Sequence, residues 1–309
     1  VKDLVNVMIE HGHQCIVYYF DNKKELTFNC ETIRISLFKK INFNNYDVIH
    51  SHGIRPDLYV GLYKPFKCNT LCITTIHSFI FEDFKSEYNK FISSFFGNLW
   101  LRVLLKRHDL IVVLSNMAQE YYSKIIPKKK LCIAYNSRII NKHNVLSLEE
   151  ENEINSFKYK DPNSIILGVN ALLSPIKGID LIIKSMPYLD EKYKLWIVGS
   201  GKSLKDLQDM AIKYGVKTRI FFAGYRKDAY RYLPYYDIYM MTSHSEGFPL
   251  ALLEAASYAL PSVCSNIPIF REFFSDNEVS FFNLNDTESL IYAIKKATNN
   301  IDMAKNMYK

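Results

Sequence analysis

Hydrophobic residues recur along the chain with two spacings. Short apolar runs indicate buried strands, and longer stretches with apolar residues three or four positions apart indicate amphipathic helices. The two kinds of segment alternate along most of the chain, which predicts βαβ units, mainly parallel sheets and an α/β fold. The predicted strands are Cys15–Phe20, Thr32–Ser36, Val48–Ser51, Cys72–His77, Leu110–Ser115, Leu131–Asn136, Ser164–Asn170, Lys194–Gly199, Arg219–Tyr225, Asp237–Thr242, Pro261–Ser265 and Ser280–Asn283.

The alternation pauses at residues 141–163, a polar stretch with an acidic cluster. Because domains commonly have about 150 residues, this pause predicts two doubly wound domains, 1–145 and 146–309. Ligands of such sheets bind outside the carboxyl ends of the strands, so we expect a cleft between the domains. The chain begins in a helical pattern at Val1 and ends in one over residues 289–309, which predicts trimming at both ends.

The composition is that of a protein with full hydrophobic cores, since 48% of the residues are hydrophobic and 14% are aromatic. The net charge of +7 favours phosphates or an anionic membrane as partners, or reflects a solvated basic surface. No basic block with interleaved aromatic residues occurs, so nucleic acid is not an expected partner. The six cysteines include no C-x-x-C pair, which favours reduced thiols and a cytoplasmic protein.

The segment 88–107 has apolar residues at helical spacing and closes with Arg102, Lys106 and Arg107. One structure that fits is an amphipathic helix on a membrane surface, which would place the protein peripherally at the inner face of the cytoplasmic membrane. The other is a helix packed on the first sheet, whose dipole favours basic residues at its end. The sequence contains no run of about 20 apolar residues that would span a bilayer.

Two glycine-containing turns follow predicted strands of the second domain. Lys177 and Gly178 precede a helix, whose free N–H groups and partial positive charge would suit a diphosphate; a plain surface lysine is the alternative. Gly199 and Gly201 would allow close backbone approach to a ligand, or simply form a tight turn. The neighbouring G-K-S is not a P-loop, because Trp196 stands where that motif needs glycine.

Glu246 and Glu254 flank Gly247 and Pro249 in the stretch SHSEGFPLALLE. Proline suits the first turn of a helix, so we expect a helix over Leu250–Ala259 with Glu246 on the preceding turn. Carboxylates accept hydrogen bonds from sugar hydroxyls, and backbone N–H groups suit phosphate. The pattern therefore predicts a nucleotide-sugar site; two solvated acids near a helix start are the alternative.

Several segments resemble the motifs of glycosyltransferase family 4, retaining enzymes of GT-B fold. In the second domain they are EGFPLALLE, SPIKG, IVGSGKSLKDL, KTRIFFAGY and YLPYYDIYMMTS, and VIHSHG and TTIHS follow the family order in the first. The resemblance implies transfer of a sugar from a UDP- or GDP-sugar to a glycan or lipid-linked acceptor. It further implies no cofactor, no metal, and a role in bacterial capsule, lipopolysaccharide or other polysaccharide synthesis.

The same resemblance implies the roles of individual residues. Glu246 would contact the donor sugar, Lys177 would neutralise the diphosphate, and His77 would lie near the reacting sugar; these three form the predicted catalytic set. Glu254 would bind the ribose, and His52 would lie on the acceptor side. The further predicted donor-binding residues are Gly247, Phe248, Gly199, Gly201 and Gly224.

The sequence departs from the family pattern in three places. Leu172 stands where the family usually has an arginine that pairs with the loop lysine, and Leu260 replaces a glycine. The family's first strand and glycine-rich loop would precede Val1. These departures motivate a second hypothesis, a catalytically inactive GT-B relative that binds nucleotide-sugar or a partner subunit. A third is another nucleotide-sugar enzyme of the same fold, such as an epimerase.

Overall fold

A computed structural model of the chain describes residues 1–22, 26–82 and 90–299. The chain forms two compact units, Val1–Ile139 and Ile140–Lys309. The division into functional domains after residue 145 stays a prediction. Two predicted segments lie partly outside the described residues, because positions 88–89 of the amphipathic helix and 300–309 of the terminal helical pattern are not described.

The first unit contains two parallel sheets. Strands β1 and β2 form a pair, and the other four lie in the order β3-β4-β5-β6. Its helices and strands are α1 (Lys2–Glu10), β1 (Ile16–Tyr19), β2 (Glu31–Arg34), β3 (Val48–His52), α2 (Ile54–Tyr63), β4 (Leu71–Ile76), α3 (Lys90–Arg102), β5 (Leu110–Val113), α4 (Asn116–Ser123) and β6 (Leu131–Ile133).

The second unit has one six-stranded parallel sheet, in the order β12-β11-β10-β7-β8-β9. The chain winds to one side after β7 and to the other side from β10, so these two neighbours mark the topological switch point where such sheets bind ligands. Its helices and strands are α5 (Leu148–Lys158), β7 (Ile165–Asn170), α6 (Ile179–Ser185), β8 (Tyr193–Val198), α7 (Leu204–Lys213), β9 (Ile220–Gly224), β10 (Ile238–Met241), α8 (Leu250–Ser257), β11 (Ser262–Ser265), α9 (Pro268–Phe273), β12 (Ser280–Phe282) and α10 (Thr287–Asn299).

Every strand that the hydrophobic pattern predicts is present, with shifts confined to the ends. The polar stretch 141–163, which interrupts the pattern, nevertheless contains helix α5. Ser147 accepts a hydrogen bond from Glu150 N, and the Glu150 carboxylate accepts one from Ser147 N, which forms a capping box. The serine and the glutamate three residues later were a readable helix-start signal that the apolar periodicity alone does not show.

The described part of segment 88–107 has a buried face, as a helix packed on the first sheet requires, and an exposed face, as a helix on a membrane surface requires. Within the described part it forms α3 and a 3₁₀ turn, Leu104–Arg107. Leu101 and Leu105 are buried in a cluster with Ile111 and Val113 of β5. The opposite face is exposed. In the chain as far as it is described, no helix combines the length and apolar character needed to cross a bilayer.

A buried carboxylate organises the first unit. Asp57 of α2 is fully buried and accepts hydrogen bonds from Ser51 and Thr74 at 2.6 and 2.7 Å, and from the Trp100 indole at 2.8 Å. Burial raises the pKa of Asp57, and these three hydrogen bonds oppose the shift because they favour the ionised form. Since the donors lie on β3, β4 and α3, this one side chain ties three elements to α2.

An aromatic stack organises the side of the second sheet that faces α5. Trp196 of β8 is fully buried, and its ring stacks on Phe221 of β9 with centroids 4.3 Å apart. Phe157 of α5 packs edge-on against Trp196 at 5.5 Å. On the other face, aliphatic residues of α6, α7 and α10 form the core cluster, which includes Ile182, Leu207 and Ile294.

We predict that Gly168→Ala destabilises the second unit. A Cβ at Gly168 would lie 1.9 Å from Cδ2 of Tyr236, a buried ring whose hydroxyl donates to Asn170 at 2.8 Å. We expect a loss of about 2 kcal/mol or more in the free energy of unfolding, measured by chemical denaturation. In the double variant with Tyr236→Ala the clash is removed, so the two losses should be less than additive. Additive losses would contradict this account.

Candidate functional site

Lys177 and Glu246, two predicted catalytic residues, meet at the switch point of the second sheet. Lys177 ends the 3₁₀ turn Pro175–Lys177 after β7, and Glu246 lies on the turn after β10. Lys177 Nζ lies 2.6 Å from Glu246 Oε1, and both side chains are largely buried, with 24% and 12% of their area exposed. Charge-assisted contacts of this length are among the strong hydrogen bonds. The structure therefore brings together Lys177, the residue predicted to bind the diphosphate, and Glu246, the residue predicted to bind the sugar.

Glu246 is further oriented by Ser243, whose hydroxyl donates to the same Oε1 at 2.6 Å. In the part of the chain that the structure describes, Glu246 Oε2 accepts no hydrogen bond, so this oxygen can accept one from a ligand hydroxyl. The sequence hypothesis assigned no role to Ser243. Its position three residues before the glutamate was the available signal, because a turn places such side chains close together.

Main-chain contacts hold the two turns against each other. Gly178 has a φ of 60°, and a Cβ there would lie 2.1 Å from Thr242 O. The Thr242 hydroxyl donates to Lys177 O at 3.1 Å, and His244 N donates to Ile176 O at 2.7 Å. Only glycine fits this approach, since any side chain would push Thr242 and the Glu246 turn away.

The glycines after β8 approach protein backbone. Cβ atoms at Gly199 and Gly201 would lie 1.8 Å from Ala171 O and 2.2 Å from Leu173 O. Gly199 N donates to the carbonyl of Gly224, which has a φ of 73°. The close approach expected at these turns therefore serves the packing of neighbouring loops, and their contact with a ligand stays a prediction.

Glu254 lies in the second turn of α8, so the two glutamates stand on different elements as expected. The helix begins at Leu250 after Pro249, and Phe248 is buried against Phe273 with ring centroids 4.9 Å apart. Burial raises the pKa of Tyr239, and the charges of Glu254 and Glu246 add to that rise. Both carboxylates thus lie near this one buried tyrosine of β10.

The two leucines that replace family residues have different surroundings. Leu172, at the position of the expected arginine, is 64% exposed in the loop after β7. Leu260 is buried at 6% exposure, immediately before β11. The second replacement therefore serves packing, whereas the first leaves an exposed apolar side chain beside the Lys177 turn.

In the first unit, three histidines cluster at the carboxyl ends of β3 and β4. His52 Nδ1 lies 3.0 Å from His77 Nε2, so the structure brings the two predicted histidines together. His50 stacks on His52 with ring centroids 4.3 Å apart, and its Nε2 lies 2.8 Å from Thr75 Oγ1. The sequence hypothesis missed His50, although residues two apart on a strand share a face.

The crowding of these rings disfavours their charged forms. Burial, with a smaller contribution from the charges of His50 and His77, lowers the pKa of His52 to about 3. Burial likewise lowers the pKa of His50 to about 4 and the pKa of His77. At neutral pH the rings are therefore uncharged, and in the 3.0 Å contact one nitrogen donates while the other accepts. The contact couples the tautomers of His52 and His77.

A metal site was not expected from the sequence. Over the ranges that the structure describes, no group of three or more His, Cys, Asp or Glu side chains could hold a metal ion.

Family models match both halves of the chain. The model described as glycosyl transferases group 1 matches residues 149–309, and the model described as glycosyltransferase family 4 matches residues 1–137. An O-antigen biosynthesis glycosyltransferase, WclY of Escherichia coli, is 31% identical over 308 residues, which cover 97% of this chain and 83% of the relative. The Escherichia coli UDP-Gal:alpha-D-GlcNAc-diphosphoundecaprenol alpha-1,3-galactosyltransferase is 28% identical, over 85% of this chain and 69% of the relative.

Solved structures show the same fold. Anabaena Alr3699/HepE in complex with UDP and glucose superposes with a TM-score of 0.81 at 16% identity, covering 99% of this chain and 89% of that chain. WaaG, a glycosyltransferase involved in lipopolysaccharide biosynthesis, gives a TM-score of 0.73 at 15% identity, covering 99% and 88%. The predicted fold class, GT-B with two Rossmann-like domains of parallel sheets, is confirmed.

We predict that His52 resists protonation and contributes a pH-dependent stability. Because its folded pKa, about 3, lies below the usual 6.5, the unfolded chain takes up the proton first as the pH falls. The contribution is complete above pH 6.5 and is lost as the pH falls toward 3. Proton NMR should show the His52 ring neutral at pH 5, and His52→Gln should flatten the acid side of the stability curve. Titration of His52 near 6.5 would contradict the prediction.

Proposed function

Since the chain belongs to the glycosyl transferases group 1, with a first unit of glycosyltransferase family 4, we propose that Lys177 and Glu246 form its donor-binding centre. The protein is a glycosyltransferase of O-antigen or related bacterial polysaccharide synthesis. The observation that carries the proposal is the 2.6 Å contact between the Lys177 ammonium and the Glu246 carboxylate. The contact supports the proposal because it brings a cation together with a carboxylate that can accept hydrogen bonds, at the switch point of the second sheet.

The proposed donor is a UDP-sugar. One relative takes UDP-Gal by its name, and the HepE structures hold UDP or UDP-glucose. In this chain Lys177 would neutralise the diphosphate, whose negative charge grows as the glycosidic bond breaks. A fixed cation aimed at developing charge is an effective form of transition-state stabilisation. The backbone N–H groups of Gly247 and Phe248, and the turns at Gly199, Gly201 and Gly224, are proposed as further donor contacts.

The two glutamates are proposed to bind different parts of the donor. Glu246 would accept hydrogen bonds from the sugar hydroxyls through Oε2, because Lys177 and Ser243 both use Oε1. Glu254, one element further along the chain, would bind the ribose. Their separation onto a turn and a helix argues against a shared acid and base role. We propose that both orient the donor and that neither forms a covalent bond to it.

The proposed reaction retains the anomeric configuration. The acceptor hydroxyl attacks the anomeric carbon from the face that the diphosphate leaves, while the bond from that carbon to the phosphate oxygen breaks. The departing phosphate oxygen takes the hydroxyl proton, so the products are the glycosylated acceptor and a nucleoside diphosphate. The neutral His77 is proposed to act near the reacting sugar, with its tautomer fixed by His52 on the acceptor side.

The proposed acceptor is a glycan carried on a lipid diphosphate, as the name of the galactosyltransferase relative describes for that enzyme. Such an acceptor lies at a membrane surface, so we propose that the protein is cytoplasmic and contacts the membrane peripherally.

A catalytically inactive relative is the second candidate function, and the exposed Leu172 in place of an arginine is the observation that favours it. Donor binding without any acceptor-dependent release of nucleoside diphosphate would favour that candidate.

We predict that Lys177→Ala and Glu246→Ala each reduce sugar transfer by about 100- to 1,000-fold, the usual effect of losing one stabilising contact to developing charge. Acceptor-dependent release of nucleoside diphosphate measures the rate. Lys184→Ala is the matched control, because Lys184 pairs with Asp180 at 2.7 Å on α6, away from the proposed contacts. Near wild-type rates in both site variants would refute the assignment.

We also predict that transfer proceeds without a divalent cation, since Lys177 would supply the charge on the diphosphate. Turnover should stay within about twofold after chelation with EDTA and gel filtration, whereas Lys177→Ala should gain activity from added Mg²⁺. Loss of wild-type activity on chelation, with recovery on Mg²⁺ addition, would show that the lysine does not replace a metal.

A further inference from the structure

The side chains of the proposed donor site carry too little positive charge for a diphosphate. Lys177 is a cation, but it lies 2.6 Å from the Glu246 carboxylate, so this pair has no net charge. Glu254, the proposed ribose ligand, makes the formal charge of the three side chains negative. A sugar-linked diphosphate itself carries about −2, and the released nucleoside diphosphate about −3. Because like charges repel strongly in a largely buried site, binding and cleavage of the donor require a further cation.

Lys202 is a second cation at the same edge of the second sheet. The turns that follow β7, β8 and β10 contain two lysines and no arginine, namely Lys177 after β7 and Lys202 after β8. Strand β8 lies directly beside β7 in the sheet, and the strands are parallel, so their carboxyl ends share one edge. The Lys202 side chain is exposed. The sheet order therefore places the two lysines on neighbouring turns at the edge where ligands bind.

Main-chain hydrogen bonds join the turn of Lys202 to the turn after β7. Leu173 N donates to Ser200 O at 2.9 Å, and Ser203 N donates to Leu173 O at 3.1 Å. A Cβ on Gly201 would lie 2.2 Å from Leu173 O, so a side chain there would push the turns apart. Backbone contacts alone thus hold position 202 beside the turn after β7, and the flexible stem of a lysine extends its charge from that position.

We propose that Lys202 is a second cation on the donor diphosphate and supplies the charge that the pair of Lys177 and Glu246 lacks. The inference rests on the proposed function, because its ligand is a sugar-linked diphosphate. An ammonium group on a flexible stem is a common phosphate ligand in proteins. The alternative role, a solvated lysine just before α7, predicts no effect on the binding of phosphates.

Titration with UDP and steady-state kinetics of the full chain test the proposal. Lys202→Ala should weaken UDP binding and raise the KM for the UDP-sugar by about 10- to 100-fold, the usual range for one charge-assisted contact. The value of kcat should fall less, because the diphosphate is charged before transfer as well as during it. Lys213→Ala is the matched control, since it removes the same charge from an exposed position in the last turn of α7. This control should bind UDP as the wild type does.

Returning a charge from the neighbouring turn separates a phosphate contact from a structural role. Leu172 is 64% exposed and directly precedes Leu173, the residue that pairs with the Lys202 turn. In the Lys202→Ala background, Leu172→Arg should recover about tenfold or more of the lost UDP affinity. Lys202→Arg alone should stay within about fivefold of the wild type, because it keeps the charge. A loss that neither arginine recovers would show a structural role and overturn the inference.

The outcomes also separate the role of Lys202 from the proposed function. Acceptor-dependent release of nucleoside diphosphate by the wild type, with equal UDP affinities in Lys202→Ala and Lys213→Ala, would overturn the role of Lys202 alone. UDP binding that depends on Lys202, without release from any UDP-sugar, would refute the proposed transfer and leave the contact in place. A wild-type chain that binds no UDP would overturn both.

Discussion

The approach of Gly178 to the Thr242 carbonyl is the constraint on which the proposed donor site depends. The two turns come from strands that are neighbours in space but lie some 70 residues apart in the chain. Main-chain contact at this point fixes the distance between the turns before any side chain is considered. Lys177 and Glu246 then need only ordinary rotamers to meet. Position 178 therefore needs a residue without a side chain, because a single methyl group there would push the two turns, and with them the two charges, apart.

The ion pair also defines what a ligand must replace. Both side chains are largely buried, so separating them without compensation costs several kcal/mol by the usual scale for buried pairs. A diphosphate can replace the carboxylate as the partner of the lysine, and sugar hydroxyls can replace the lysine as hydrogen-bond donors to the carboxylate. A nucleotide-sugar offers both groups in one molecule, at the same time and at a fixed spacing. A ligand with only one of them would leave the other charge without its partner.

The sequence predicts the local features well because they depend on near neighbours. The alternating apolar runs locate the strands, and Pro249 locates the start of α8. What the sequence does not show depends on contacts between distant segments. The order of the sheet brings Ala171 and Leu173 against Gly199 and Gly201, whose contact with a ligand stays a prediction. No local pattern specifies which loop lies beside a given turn. His50 was missed for the opposite reason, since strand periodicity alone would have placed it beside His52.

Each unit contains one of the two tryptophans, and their surroundings differ. Trp100 donates its indole N–H to the Asp57 carboxylate in the first unit, whereas Trp196 is stacked among aromatic rings in the second. Indole fluorescence depends on such surroundings, so the chain carries a separate optical reporter in each half. Replacing either tryptophan by phenylalanine would leave an emission signal from one unit alone. The order in which the halves lose structure in denaturant can therefore be observed without adding a label.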